Sequence, residues 1–456
     1  MISLAVMHFM FGFVILVYEA VRIKRRGGFD FFSLIVVVFA IFYGLAPTTF
    51  HVANAVGYEY AWTDYAKHTQ RLYPLSFLLA VISYLCLRAG WTLAGSVNDS
   101  QNQPAGLRGG AANEQALTTK MVVTAWLLLA TSLVAYYLYS LAYGGFDGLA
   151  IVSNALRAGW AEVSNPWSFL KRFGGLTIVA SYLFMVAMRT EFRGLRRHSA
   201  RLGFALSTLF SLYVLLTWQG RLTLAFYVLT LILADAALKQ RRIGISTLAL
   251  PVAAVAFLLF AGNDLLYLFR QLAEGNQASV FAENPGLESA HDFVLGELSF
   301  PIVSINTALN AIYNGAAEMR FFVDIPLGIL SLIPQRWLLS TIETASTVNT
   351  KLIDPSLPGT VPTDLISFGV YSLGAFGPPV VSFVMGALAR VTQHFVGRIR
   401  PAGLGAVFFI AYGLTIARSV AYADPAQILE GSFYLLLGTA ITLIVLRIRI
   451  GGAHGP

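Results

Sequence analysis

Charge is scarce in this chain. Asp, Glu, Lys and Arg together make up 12% of its 456 residues, 57% are hydrophobic, and the mean hydropathy is +0.68. A soluble domain typically carries about 25% charged residues, so a soluble globular fold of this length is excluded. Cysteine is almost absent too. Cys86 is the only one, which rules out an intrachain disulfide, and its place inside an apolar run suits a small packed hydrophobe.

Several catalytic signatures are also missing. There is no Gly-x-x-x-x-Gly-Lys-Ser/Thr loop to cradle a nucleotide phosphate. His-Glu-x-x-His and paired-cysteine motifs do not occur, so no metal site of those kinds is expected. An Asp-x-Asp pair is lacking, which weakens metal-dependent transfer through that motif, and Gly-x-Ser-x-Gly is lacking as well. Charges are rare within the apolar runs, with Asp235 the main exception. Ion-coupled transporters usually bury ionisable groups at mid-membrane, and this chain does not have that pattern.

The apolar runs themselves are present in number. A helix needs about 20 apolar residues to cross a bilayer, and lipid leaves open backbone groups unsatisfied, so the spans must be helical. Eleven are expected, at residues 2–21, 29–46, 72–94, 121–142, 173–188, 202–218, 222–238, 243–262, 367–389, 402–420 and 429–446. The first lacks a basic region ahead of it and is read as a retained span. Basic clusters follow the first, fifth, seventh, ninth and eleventh spans, which places them all on one side, the inner side by the positive-inside rule. That side holds 20 of the 31 Lys and Arg and six of the 23 acids, a net +14 against −6 outside. The net charge of +8 is thus a matter of membrane orientation, and no nucleic-acid partner is implied. The N-terminus is expected outside and the C-terminus inside.

This gives an all-α, polytopic membrane protein in three parts: eight spans in 1–262, a long outer segment at 263–366 with amphipathic helices, and three spans in 367–456. The long segment contains proline-broken apolar stretches such as FVDIPLGILSLIPQRWLL, which read as interfacial or re-entrant. A second outer segment, 143–172, includes the amphipathic SNALRAGWAEV. The inner loop 95–119 has linker composition.

The outer side carries cations that the positive-inside rule does not ask for. Arg221 lies in TWQGRLTL, at the tight hairpin between the sixth and seventh spans, and Arg418 lies in LTIARSVAY at the end of the tenth. Arg270 follows the eighth span, and Arg336 sits beside Trp337 in SLIPQRWLL. Snorkelling to headgroups explains one such arginine, and pairing with the outer acids explains others. A set of them in apolar sequence also fits a phosphate, which guanidinium bonds bidentately. ESAHDFVLGELSFP supplies acid–base candidates: Glu288, His291, Asp292 and Glu297. The apolar surroundings of Glu297 favour a functional role, whereas a solvated loop accounts for His291 and Asp292 equally well. Glu343 is a weaker candidate.

In order, YGGFDGLAIVSNALRAGW, WQGRLTLAFYVLT, GELSFPIVSINTALN, DIPLGILSLIPQRW, DPSLPGTVPTD and FGVYSLGAFGPPVVSFVMGAL give the stretch 120–420 a pattern that resembles the Wzy family of O-antigen and oligosaccharide repeat-unit polymerases. The family is known by hydropathy layout more than by sharp motifs. Here Gln219 stands where a serine often precedes the hairpin arginine. The resemblance implies a membrane-embedded, GT-C-like glycosyltransferase of the bacterial inner membrane, active on the outer face. It would join polyprenyl-diphosphate-linked oligosaccharides without a nucleotide sugar, metal or other cofactor, with membrane lipid and a separate chain-length regulator as partners. Arg221, Arg270, Arg336 and Arg418 are then the expected diphosphate ligands, and Glu297 or His291 the base. An O-antigen ligase, a flippase or exporter of lipid-linked glycans, and a scaffolding membrane protein are the alternatives.

Overall fold

The computed structural model describes residues 1–26, 28–60, 62, 65, 68–96, 111–158, 165–189, 195–218, 220–239, 268–269, 271, 294–334, 343–357, 359–399 and 401–446. Among these no strand occurs, as a chain that buries its backbone in lipid requires. The helices are α1 Ile2–Arg26, α2 Phe31–Val56, α3 Gln70–Gly95, α4 Leu117–Tyr143, α5 Gly145–Ala158, α6 Ser168–Arg189, α7 Arg197–Thr217 and α8 Arg221–Leu238. They continue with α9 Phe300–Tyr313, α10 Asp324–Leu330, α11 Ala345–Ile353, α12 Leu365–Gly397, α13 Ala402–Arg418 and α14 Pro425–Leu446.

Nine of the described helices are long and apolar enough to cross a membrane: α1 to α4, α6 to α8, α12 and α14. The expected tenth span appears as α13, an apolar helix below that length. The expected eighth, 243–262, lies outside the described residues, as does most of the linker 95–119. The chain is therefore an all-helical polytopic membrane protein.

α2 outruns its expected end at residue 46, and the reason is local. Pro47 has no N–H to give the carbonyl of Tyr43 four residues back. A π-helical turn, Ile41–Leu45, precedes the proline, and His8 Nδ1 takes up the freed Tyr43 carbonyl at 2.7 Å. With that acceptor satisfied, the helix continues to Val56.

Contacts divide the chain into two units, which follow packing rather than chain order. The first comprises 1–102, 287–393 and 413–430. Small residues let its helices touch backbone to backbone: a Cβ on Gly44 would stand 2.7 Å from Gly12 Cα, and Cβ atoms on Gly90 and Gly386 would each stand 2.0 Å from a carbonyl of the other helix. At one end, Arg22 bonds both Glu19 and Asp30. Burial would raise the Asp30 carboxyl, but Arg22 and the Ser33 bonds outweigh it and hold the group below its usual range. α9 runs through this unit with ten successive residues, Phe300–Leu309, fully buried, so this part of the long segment is core and not loop.

The second unit comprises 103–286, 394–412 and 431–456. α4, α6 and α7 form its centre. Gly174 seats the ring of Tyr136, Gly203 that of Phe184, and Gly438 the side chain of Val179. Asp235 near the end of α8 pairs with Arg189 and Lys239, so the one acid noted within a span belongs to an ion cluster at its end.

Candidate functional site

Arg221 is the first residue of α8. It follows a hairpin that the second unit fixes in place. Thr217, the last residue of α7, shares a 2.5 Å hydrogen bond with the buried Tyr136 hydroxyl. Trp218 lies against Tyr434, ring centroids 6.2 Å apart. It also packs on a cluster of Tyr136, Tyr139, Leu149 and Val214 with Tyr213 and Phe146 beside it. Gly220 then caps α8 without a side-chain bond, and the next residue is a buried cation, 8% exposed.

The first-turn N–H groups of a helix point outward at its N-terminus, which carries about half a positive charge. A buried guanidinium there adds like charge to like. Together the helix end and the guanidinium form a donor set suited to an anion, as helix N-termini bind phosphate elsewhere. Arg418 is the opposite case. It ends α13, where the helix dipole favours a cation, and its guanidinium lies 5.1 Å from the centroid of the Tyr422 ring. Its placement is accounted for without a ligand.

The remaining expected residues fall as follows. Glu297 lies in a π-helical turn, Val294–Leu298, directly before α9. His291, Arg270 and Arg336 lie outside the described residues. Arg221 belongs to the second unit, and Arg418 and Glu297 to the first. Glu343 is exposed and bonds Lys351 at 2.8 Å. Arg320, another cation of the long segment expected outside, is clamped bidentately on Asp324 at 2.8 and 2.7 Å and also donates to the Glu343 carbonyl. For this arginine, pairing with the outer acids is the observed outcome.

Besides Glu19 and Asp30, the first unit buries the carboxylates of Asp324, Asp364 and Asp424, which the sequence did not single out. Asp324 accepts the Ala345 N–H and Asp424 the Ser346 N–H, so both sit at the positive start of α11. Asp364 caps α12 through a capping box with Ser367 and accepts the Tyr43 hydroxyl at 2.6 Å. Burial pushes its carboxyl up to about 6, against the lowering by Tyr43 and the helix N–H groups. All three have a sequence signal, an aspartate at a helix start: Asp364 and Asp424 directly precede their helices and Asp324 is the first residue of α10, with proline close behind Asp324 and Asp424. Asp364 is fully enclosed, so no substrate touches it in this conformation, and these acids hold the fold. Among the described residues, no group of three or more His, Cys, Asp and Glu could hold a metal ion.

An apolar groove of about 490 Å³ runs between α4 and α7, lined by Leu129, Leu133, Leu206, Leu209, Phe210 and Tyr213 among others. Leu206 and Leu209 are exposed, as lipid-facing residues are. Its Tyr213 end lies one helical turn before Thr217 and the Arg221 hairpin.

Comparison with protein-family models, with curated proteins and with solved structures finds no match.

Proposed function

We propose that this protein is a membrane glycosyltransferase of the polysaccharide-polymerase kind. It joins polyprenyl-diphosphate-linked oligosaccharide units at the outer face of the bacterial inner membrane. The observation that carries this reading is Arg221: a buried, permanently charged group at the positive end of a helix, in a hairpin held by aromatic packing. Such a site suits an anion in apolar surroundings. The groove below it suits a polyprenyl chain, so that one amphiphile would meet cation and groove together.

In the reaction, an acceptor sugar hydroxyl attacks the anomeric carbon of the donor glycan. The new C–O bond forms as the bond to the diphosphate breaks. Negative charge grows on the departing diphosphate, and fixed guanidinium donors stabilise it. Arg221 takes this role, and the family resemblance implies Arg270 and Arg336 as further diphosphate ligands. The hydroxyl proton passes to a general base, for which the sequence offers Glu297 or His291 as candidates. The resemblance to the Wzy family supports the substrate class, and it also suggests a separate chain-length regulator.

The test is reconstitution in nanodiscs with the host's polyprenyl-diphosphate repeat unit, with products resolved on a gel. A ladder of added units supports polymerisation. Arg221→Ala should abolish the ladder while leaving the protein folded and inserted. Arg221→Lys should keep a fraction of the activity, since the ammonium lacks the bidentate fork. A full ladder from Arg221→Ala sinks the assignment. No ladder from folded wild-type protein on authentic substrate turns the reading toward ligation or export.

A further inference from the structure

In the first unit, α10 is built inside out. The side it buries carries Asp324, Gly328 and Ser331. The side it exposes carries Ile325, Ile329 and Leu330, and the same exposed row takes in Phe321 and Val323 before the helix and Ile333 after it. Phe321 is 70% exposed and Ile329 58%. A helix in water turns its apolar stripe inward, and this one does the reverse. Its polar face is occupied: Asp324 takes Arg320 and the Ala345 N–H, Ser331 bonds the Gly328 carbonyl, and Gly328 leaves no room for a Cβ against Pro425.

The segment is also fixed at a definite depth. α12 breaks at Gly374–Phe376, with Gly374 at φ +60°, and Pro378 follows. The break withdraws the N–H groups that the carbonyls of Tyr371 and Ser372 would otherwise accept. Those carbonyls instead receive Arg320 N–H at 2.8 Å and Phe321 N–H at 3.0 Å. To make this connection, Phe321 and Phe322 both adopt the left-handed backbone, φ 46° and 61°, which is costly for bulky side chains. The contact lies two helical turns from the start of α12, a helix long and apolar enough to cross a membrane. In lipid, a broken helix persists only where other groups take up its freed backbone, and residues 320–321 do this.

Below the break, Phe376, Val380, Val384, Leu388 and Val391 are exposed along one side of α12, at helical spacing. An exposed apolar stripe of this kind suits a lipid-facing side of the span, and Phe321, at the head of the exposed row of residues 321–333, is bonded to Ser372, one turn before the stripe starts at Phe376.

We propose that residues 320–333 form a re-entrant wedge whose Phe321, Ile325, Ile329, Leu330 and Ile333 face insert into the acyl chains of the leaflet on the side opposite the basic clusters. The occupant of this face is bilayer lipid. Continuity with the α12 stripe, the depth of the Tyr371 and Ser372 bonds, and the inverted polarity of α10 all point to it. The wedge ties the long segment to the membrane, and the inference does not rest on the proposed enzymatic activity.

The experiment uses the full chain with Cys86→Ala and a single nitroxide label in nanodiscs, read by collision with oxygen and with a water-soluble nickel chelate. Ile329→Cys is compared with Leu388→Cys on the α12 stripe and with Ser356→Cys in an exposed loop. Accessibility at Ile329 several-fold higher to oxygen than to the nickel chelate, as at Leu388, is the expected result. Nickel accessibility matching that at Ser356 would place the face in water and overturn the proposal. A label immobilised and shielded from both reagents would also overturn it, because protein, a second copy or another chain, would then cover the face. Ile325→Cys gives the same readout should the Ile329 variant fail to fold.

Discussion

Two arginines that look alike in the sequence, each at the expected outer end of a span, have opposite electrostatic settings. Arg418 ends α13 and Arg221 begins α8, so the helix dipole supports the first and opposes the second. That distinction makes Arg221 the residue to mutate first. Arg320 has a structural part. Its removal leaves the buried Asp324 carboxylate without its cation, so Arg320→Ala should lower stability by about 3 kcal/mol or more, read as the loss of thermal midpoint in detergent. Arg320→Ala with Asp324→Asn should recover part of the loss. Asp364 gives a pH dependence. Its carboxyl sits at about 6 in the fold, against about 3.9 in an unfolded chain. The folded protein therefore holds this proton more tightly. The contribution is complete below about pH 4 and is lost as pH rises through 6, a fall of roughly 3 kcal/mol. Asp364→Asn should flatten that part of the stability–pH curve. An unchanged curve would show that the wild-type slope arises elsewhere.

At the scale of elements, helix contact depends on the absence of side chains. Gly90 and Gly386 leave α3 and α12 in backbone contact. Gly386→Leu should cost at least about 2 kcal/mol through overpacking, whereas Leu at Gly397, where a Cβ would meet nothing within 4 Å, should be near neutral. Unfolding of both variants in the same detergent makes the comparison. The His8 bond to the Tyr43 carbonyl yields a sharper test. His8→Ala strands a buried acceptor and should cost about 1–3 kcal/mol. Pro47→Ala restores an N–H four residues along, so the double variant should be less destabilised than the sum of the singles. Strict additivity would mean that the histidine bond and the proline are unrelated. The expected second span ends at residue 46, directly before Pro47, and a proline normally ends a helix. It could not show that a histidine 39 positions earlier would stand in for the missing donor.

For the whole molecule, the separation of charge makes a prediction about topology. With eleven spans the termini lie on opposite sides, so a fluorescent protein at the C-terminus should mature in the cytoplasm and a phosphatase at the N-terminus should be active outside. Both reporters on one side would mean an even number of spans, with either the short α13 or residues 243–262 failing to cross. Most of the helices stand close to where the apolar runs put them. The ends differ most, as at α12, which runs to Gly397 rather than 389.

Composition and period were enough to establish a helical membrane protein, because lipid permits so few ways to satisfy a backbone. The same pattern picked out Arg221 as an oddity, since a cation among apolar residues stands out in one dimension. Whether such a cation is a strut or a ligand depends on which carboxylate, ring or helix end it meets. Arg320 meets Asp324 four residues along and Glu343 beyond it, whereas Arg221 is the first residue of a helix. Likewise the exposed face of α10 reads in sequence as one more short apolar stretch. Only the tertiary structure shows that its polar side is the one buried, because burial is decided by what packs against a helix and not by the helix alone.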